Sequence, residues 1–196
     1  MERPAEDYPD WAAQAAQLRR EGRFAEALTA YEYALALAED NPITRVGLSR
    51  VLSALNRHEE ALIAVDHALQ LAPTSLEGWI WRGSVLDDLE RFEEEIQAYQ
   101  QALQLTDNAS TRANFLHGIG NALWSMGKYS EGLRVLDNAI ELDPTDAPAW
   151  NNRGNCLSDL GHDQEAMSSY ERAIVLTPAY PAAWNNKGNM LRKWKR

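Results

Sequence analysis

Asparagine residues recur at matching places in the second half of this 196-residue chain. The run Trp-Asn-Asn-x-Gly-Asn occurs at 150–155 and again at 184–189, 34 residues later. A carboxamide has one oxygen acceptor and two N–H donors, so it can bond to the backbone of a bound chain whatever that chain's side chains are. The pattern therefore predicts a surface that reads the backbone of an extended peptide. Its candidate residues are His117, Asn121, Asn151, Asn152, Asn155, Asn185, Asn186 and Asn189.

Two tryptophans and one arginine, Trp81, Trp124 and Arg50, extend this predicted surface toward the N-terminus. Burying an exposed tryptophan in an interface removes about 150–250 Å² from water. At about 25 cal/mol per Å² this contributes roughly 4–6 kcal/mol before any opposing cost. Trp81 and Trp124 are therefore predicted anchors for a partner, with packing against a neighbouring helix as the alternative.

Motifs that could carry catalysis or bind a cofactor are incomplete. The run Gly-Ile-Gly at 118–120 lacks the third glycine of a dinucleotide-binding loop and follows no predicted strand. The four histidines and Cys156 show no metal-ligand spacing. We therefore predict no enzyme activity, no cofactor and no metal.

The charge balance and the single cysteine limit the partners and the compartment. A net charge of -10 repels nucleic acid and anionic membrane surfaces. One cysteine cannot form an internal disulfide, which fits a reducing compartment. The chain also lacks an apolar run of signal-peptide or membrane-spanning length. These features predict a cytoplasmic protein whose partners are proteins or peptides, without nucleic acid or membrane.

The elements that would position the asparagines repeat along the chain. Segments of the form Ala-Leu/Ile-x-Leu begin at residues 34, 68, 102, 139 and 173, at intervals of 34, 34, 37 and 34. The apolar residues in each unit have helical spacing, and two helices fit within one unit. The units are 8–41, 42–75, 76–109, 113–146 and 147–180, with a partial sixth at 181–196 and an insertion at 110–112.

One unit carries the set of residues that identifies the repeat. Counted from the start of the unit, it has Trp at position 4, Gly at 8, Leu at 11, Ala at 20, Tyr at 24, Ala at 27 and Pro at 32. In the fifth unit these residues are Trp150, Gly154, Leu157, Ala166, Tyr170, Ala173 and Pro178. This pattern resembles the tetratricopeptide repeat.

The resemblance implies an all-α fold, a right-handed α-solenoid of stacked antiparallel helix pairs. This solenoid would have five full repeats and one terminal helix in a single array over residues 1–196. The resemblance also implies a concave groove, lined by the first helices, that receives a peptide or protein segment. The asparagine ladder is similar to that in the groove of O-linked N-acetylglucosamine transferase. The alternative is that these asparagines are only a hydrated polar face inherited by duplicated repeats.

Other features of the repeats are less regular. Glu95 stands where close helix packing favours alanine, so this carboxylate needs a partner or forces the helices apart. Together with the insertion at 110–112, it predicts an irregular junction between the third and fourth repeats. The family's carboxylate clamp is absent, because His117, Ala182 and Asn186 stand where it needs cations.

The main prediction is a non-enzymatic scaffold that binds an extended segment in the groove. One alternative is a substrate-recruiting arm of a larger enzyme that continues past the C-terminus. The other is a homo-oligomeric assembly factor joined through the terminal helix, 181–194, whose apolar stripe lacks a following helix.

Overall fold

The computed structural model describes residues 10–37 and 41–194. These residues form eleven α-helices and no strand. The helices are α1 Trp11–Arg20, α2 Phe24–Leu37, α3 Pro42–Ala54, α4 His58–Leu71, α5 Leu76–Asp88, α6 Phe92–Gln104, α7 Ala109–Ser125, α8 Tyr129–Leu142, α9 Ala147–Asp159, α10 Asp163–Leu176 and α11 Pro181–Trp194. No helix among the described residues is both long enough and apolar enough to cross a membrane.

The chain divides into two compact units, Met1–Arg91 and Phe92–Arg196. Unit 1 contains α1–α5 and unit 2 contains α6–α11. The division falls inside the third predicted repeat, and a single array over residues 1–196 remains a prediction. Parts of that prediction, residues 1–9, 38–40 and 195–196, lie outside the described residues.

Within each predicted repeat, a tight turn joins the first helix to the second at position 15. The residue there has a positive φ in all five repeats. Such a backbone favours glycine, because a Cβ is crowded by the following carbonyl oxygen in the left-handed region. Gly22, Gly127 and Gly161 fill this position in three repeats, whereas Asn56 and Glu90 fill it in the other two.

Side-chain caps fix the starts of the first helices. Asn41 accepts a hydrogen bond from the backbone N–H of Thr44, and Ser75 and Asp146 make the equivalent bond in their repeats. A capping oxygen satisfies an N–H that has no partner inside the helix. In these three repeats the first helix therefore begins directly after a capping residue.

Three helices, α5, α9 and α11, each have a tryptophan near their start that forms a hydrogen bond to the proline before the helix. The indole N–H groups of Trp79, Trp150 and Trp184 donate to the carbonyl oxygens of Pro73, Pro144 and Pro178, at 2.8, 3.1 and 2.9 Å. Trp184 nevertheless exposes 51% of its surface, so this hydrogen bond holds an indole that is not part of a buried core.

One core cluster of unit 1 lies between α1, α2 and α3. Its buried residues include Leu18, Tyr31 and Val51. Tyr31 approaches α3 closely, since a Cβ at Gly47 would lie 2.5 Å from its hydroxyl oxygen. Small residues thus set how closely these helices pack.

Apolar clusters between successive helices also form the core of unit 2. Leu136 of α8 packs with Ile140, Ala149 and Cys156. Tyr170 of α10 packs with Leu157 and other apolar residues of α9 to α11. These clusters hold α7, α9 and α11 in order along one side of the unit, where α7 contacts α9 and α9 contacts α11.

The insertion at 110–112 lengthens a helix rather than forming a loop. Helix α7 has 17 residues, compared with 13 in α9, and the additional residues precede the predicted start of the fourth repeat. Asn108 caps this earlier start by accepting from the N–H of Thr111 at 2.9 Å. Arg112 donates to the carbonyl oxygen of Leu103 in the last turn of α6 and to that of Thr106 just beyond the helix. The residues of the insertion therefore stabilise the junction between the third and fourth repeats, where the sequence predicts an irregularity.

Glu95 is buried on α6, with 1% of its surface exposed. The Glu95 side chain has an interaction partner. This agrees with the expectation that the carboxylate is partnered, since a buried carboxylate is costly unless it is paired or hydrogen-bonded.

Candidate functional site

The asparagines of α7 and α9 bond to each other. The side-chain Nδ2 of Asn152 donates to Asn121 Oδ1 at 3.2 Å and lies 3.0 Å from His117 Nε2. A side-chain amide nitrogen has two hydrogens and no acceptor capacity, so both hydrogens of Asn152 are engaged. We call His117, Asn121 and Asn152 the first clasp.

The same arrangement returns one repeat later, between α9 and α11. Asn186 Nδ2 donates to Asn151 Oδ1 and to Asn155 Oδ1, both at 2.9 Å. The Tyr170 hydroxyl donates to the same Asn155 oxygen at 3.1 Å. We call Asn151, Asn155 and Asn186 the second clasp.

The two clasps share one rule of position. In each, the residue at position 6 of a repeat donates to positions 5 and 9 of the repeat before it. This rule gives the recurring asparagines a structural role that their spacing in the sequence does not indicate. The role becomes visible only when the side chains of successive first helices are placed against each other.

The clasps restrict which predicted residues can meet a ligand. Asn151 is only 3% exposed and bonds to both Asn152 and Asn186, which leaves little of its side chain open to a partner. Asn152 and Asn186 use both donor hydrogens within the clasps. These residues therefore position the surface rather than donate to a bound chain.

Some hydrogen-bond donors and acceptors of these asparagine side chains are not used by the clasps. The Nδ2 groups of Asn121 and Asn155 and the Oδ1 of Asn186 make no hydrogen bond within the described residues, and all three side chains are partly exposed. Asn185 and Asn189 are exposed on α11, where Asn189 Oδ1 accepts from Arg192. The remaining donors and acceptors are of the kind that pairs with peptide C=O and N–H groups.

The histidine of the first clasp links it to the start of α9. His117 Nε2 faces the side-chain amide nitrogen of Asn152, and its Nδ1 lies 3.3 Å from Asp146 Oδ2. Burial would raise the pKa of Asp146, but its contacts with His117 and the Ala149 N–H outweigh burial and hold that pKa below its usual value.

Trp124 borders a cavity next to the second clasp. Its indole N–H donates to Asp159 Oδ2 at 2.7 Å. The cavity has a volume of about 270 Å³. Its lining consists of Trp124, Asn155, Ser158, Asp159, Tyr170, Asn186, Asn189, Met190 and Lys193. Four of the predicted groove residues thus meet at one opening in unit 2.

Trp81 has a different environment in unit 1. The Arg50 guanidinium lies 4.4 Å from the centre of its ring and also bonds to Glu77 at 3.0 Å. One face of Trp81 is therefore covered by a cation of the preceding predicted repeat. This arrangement favours the alternative of packing over the role of a partner anchor.

Cys156 of α9 is fully buried. Burial, together with the nearby negative charge of Asp159, raises the pKa of its thiol to about 11. The thiol is therefore neutral at physiological pH, and a neutral buried thiol is a poor nucleophile. This environment is typical of a packing residue and not of a reactive site.

We expect Cys156 to resist labelling by Ellman's reagent at pH 8 in the folded protein. Because the thiol must become both exposed and ionised to react, its rate should be lower than in the urea-unfolded chain by about a hundredfold or more. Absorbance at 412 nm measures this rate, and the unfolded chain with its single cysteine is the control. Rapid labelling of the folded protein would contradict the buried, neutral thiol.

Comparisons with known proteins give one consistent family. Three family models, each described as tetratricopeptide repeat, match residues 18–81, 76–108 and 117–183. No curated protein sequence matches the chain significantly.

Solved structures of similar fold are numerous. YrrB, described as a TPR protein with an unusual peptide-binding site, is 23% identical with a TM-score of 0.74, over 91% of this chain and 90% of YrrB. MamA from Desulfovibrio magneticus RS-1, solved from its residue 41 to the end, is 17% identical with a TM-score of 0.78, over 87% of this chain and 97% of that chain. TTC0263, a thermophilic TPR protein from Thermus thermophilus, is 19% identical with a TM-score of 0.69, over 92% and 97% of the two chains. At these identities the similarity establishes the fold.

Proposed function

Because this chain belongs to the tetratricopeptide repeat family, we propose that it is a non-catalytic scaffold that binds an extended segment of another protein. The predicted fold class, an α-solenoid of helix pairs, is confirmed by the helices and by the similar structures. The binding site is the face of unit 2 formed by α7, α9 and α11. YrrB, with its peptide-binding site, is a precedent for this use of the fold.

The observation that carries the proposal is the set of unused amide groups held in place by the clasps. Each clasp fixes an asparagine through its oxygen and leaves its Nδ2 group unbonded, at Asn121 in the first and Asn155 in the second. A donor that is already fixed loses little conformational entropy when a ligand binds. The clasps therefore prepare these two donors for peptide carbonyl oxygens.

The repeat spacing suits an extended ligand. Packed helices lie about 8–10 Å apart, and an extended chain rises about 3.3 Å per residue. One repeat therefore corresponds to roughly three ligand residues. Donors that recur once per repeat can then contact the ligand backbone without selecting its sequence.

We expect the double substitution Asn121→Asp and Asn155→Asp to weaken peptide binding by about tenfold or more. Aspartate keeps the oxygen that Asn152 and Asn186 need but lacks the two N–H donors offered to the ligand. Each lost hydrogen bond also leaves a carboxylate facing a ligand carbonyl. Binding is measured by fluorescence anisotropy with peptides selected from a random dodecapeptide display library on the wild-type chain.

The matched control is Asn108→Asp with Asn138→Asp. It adds the same two charges to unit 2, at a helix cap where aspartate also caps and at an exposed position on α8. Binding that survives in the control and is lost in the test variant supports the proposal. Equal binding by both variants, or no peptide retained by the wild-type chain, would refute it.

A further inference from the structure

We infer that the cavity beside Trp124 receives a basic side chain, lysine or arginine, of the bound segment. This inference rests on the proposed function and names the chemistry that the site selects. The cavity opens beside the second clasp, since Asn155 and Asn186 belong to its lining. A chain held along the clasps can therefore place one side chain in it.

The size of the cavity suits a single side chain. Its volume of about 270 Å³ is below the ~300–1,000 Å³ typical of small-molecule sites. The lining mixes the aromatic Trp124 and the apolar Met190 with hydroxyl and amide groups. A long side chain with an apolar stem and a polar end fits this mixture better than a short or wholly apolar one.

Among the described residues, the cavity holds one carboxylate that is not paired with a cation. Asp159 accepts from the Trp124 indole through Oδ2, and its Oδ1 makes no hydrogen bond within this part of the chain. Lys193 is the one cation among the described lining residues, and it is paired with Asp163 at 2.7 Å. Asp159 therefore offers a carboxylate oxygen to an incoming cation.

The aromatic ring adds a second attraction for a cation. Trp124 is held by its bond to Asp159, so its indole is fixed before a ligand arrives. A lysine ammonium or an arginine guanidinium near both groups gains a cation–π contact and a charge-assisted hydrogen bond. An acidic side chain would instead be repelled by Asp159, and the net charge of -10 favours basic partners from a distance as well.

The test uses small probes that carry one side chain each, so that it does not depend on finding the natural partner. The probes are the N-acetyl, N′-methylamide derivatives of arginine, lysine, norleucine and glutamate. The readout is the indole ¹H–¹⁵N signal of Trp124 in the full chain, assigned with a Trp124→Phe variant. The arginine and lysine probes should shift this signal saturably at millimolar concentration, and the norleucine and glutamate probes should not.

Asp159→Asn should weaken binding of the arginine probe by about tenfold, because it removes the charge but keeps an oxygen for the indole N–H. Asp107→Asn, which removes an equal charge at an exposed position of unit 2, should leave binding unchanged. A shift by norleucine as large as that by arginine, or no shift by any probe, would overturn the inference. The peptide experiment on Asn121 and Asn155 has a separate readout, so a failure of the cavity and a failure of the scaffold are distinguishable.

Discussion

Replacing Leu136 by alanine is expected to lower the free energy of unfolding by about 3–5 kcal/mol. Leu136 is fully buried between α7, α8 and α9, in a cluster with Ile140, Ala149 and Cys156. Its side chain lies against Gly120, where an added Cβ would come within 2.5 Å of Leu136 Cγ. Glycine and alanine have no side-chain rotamers that could fill the space left by the substitution, so most of the cavity would remain.

Urea unfolding followed by circular dichroism at 222 nm measures this loss. The control is Leu142→Ala on the same helix, where leucine is 40% exposed. That substitution removes the same atoms from a position that water already reaches, so the loss should be smaller, on the order of 1 kcal/mol. Similar losses in the two variants would show that Leu136 does not hold the centre of unit 2.

The sequence alone predicts the repeats, the helix pairs and the turns because each depends on local spacing. The 34-residue period places the first helices, and Asn41, Ser75 and Asp146 cap them one residue before the predicted start. The insertion at 110–112 is also visible in the sequence. Its incorporation into α7 depends on Asn108 acting as an earlier cap, which becomes clear only with the structure.

The clasps could not be predicted in the same way. The recurring asparagines indicate that the surface matters, but an amide can bond to a ligand, to water or to another amide with similar chemistry. The choice depends on how one first helix is placed against the next, which the period does not specify. Asn151 shows the consequence, since the same residue type at an apparently equivalent position is buried there and exposed at Asn185.

Replacing Gly154 by alanine is expected to lower the free energy of unfolding by about 2–3 kcal/mol. An added Cβ would lie 2.5 Å from Cε1 and 2.7 Å from Cδ1 of Tyr170, whose ring is buried. The ring would have to move, and its hydroxyl would then lose its bond to Asn155 Oδ1. Because Asn155 also accepts from Asn186, the substitution should weaken peptide binding as well as stability.

The chain contains its own matched control in Gly188. Gly188 has the same position in the next repeat and also lies inside a helix, but an added Cβ there meets no atom of the described residues within 4 Å. Gly188→Ala should therefore raise the free energy of unfolding by up to about 1 kcal/mol, because alanine favours a helix more than glycine does. The same substitution at the same repeat position thus has opposite expected effects, since Tyr170 packs over Gly154 whereas no side chain in the described part of the chain packs over Gly188. Equal effects in thermal unfolding of the two variants would contradict the contact between Gly154 and Tyr170.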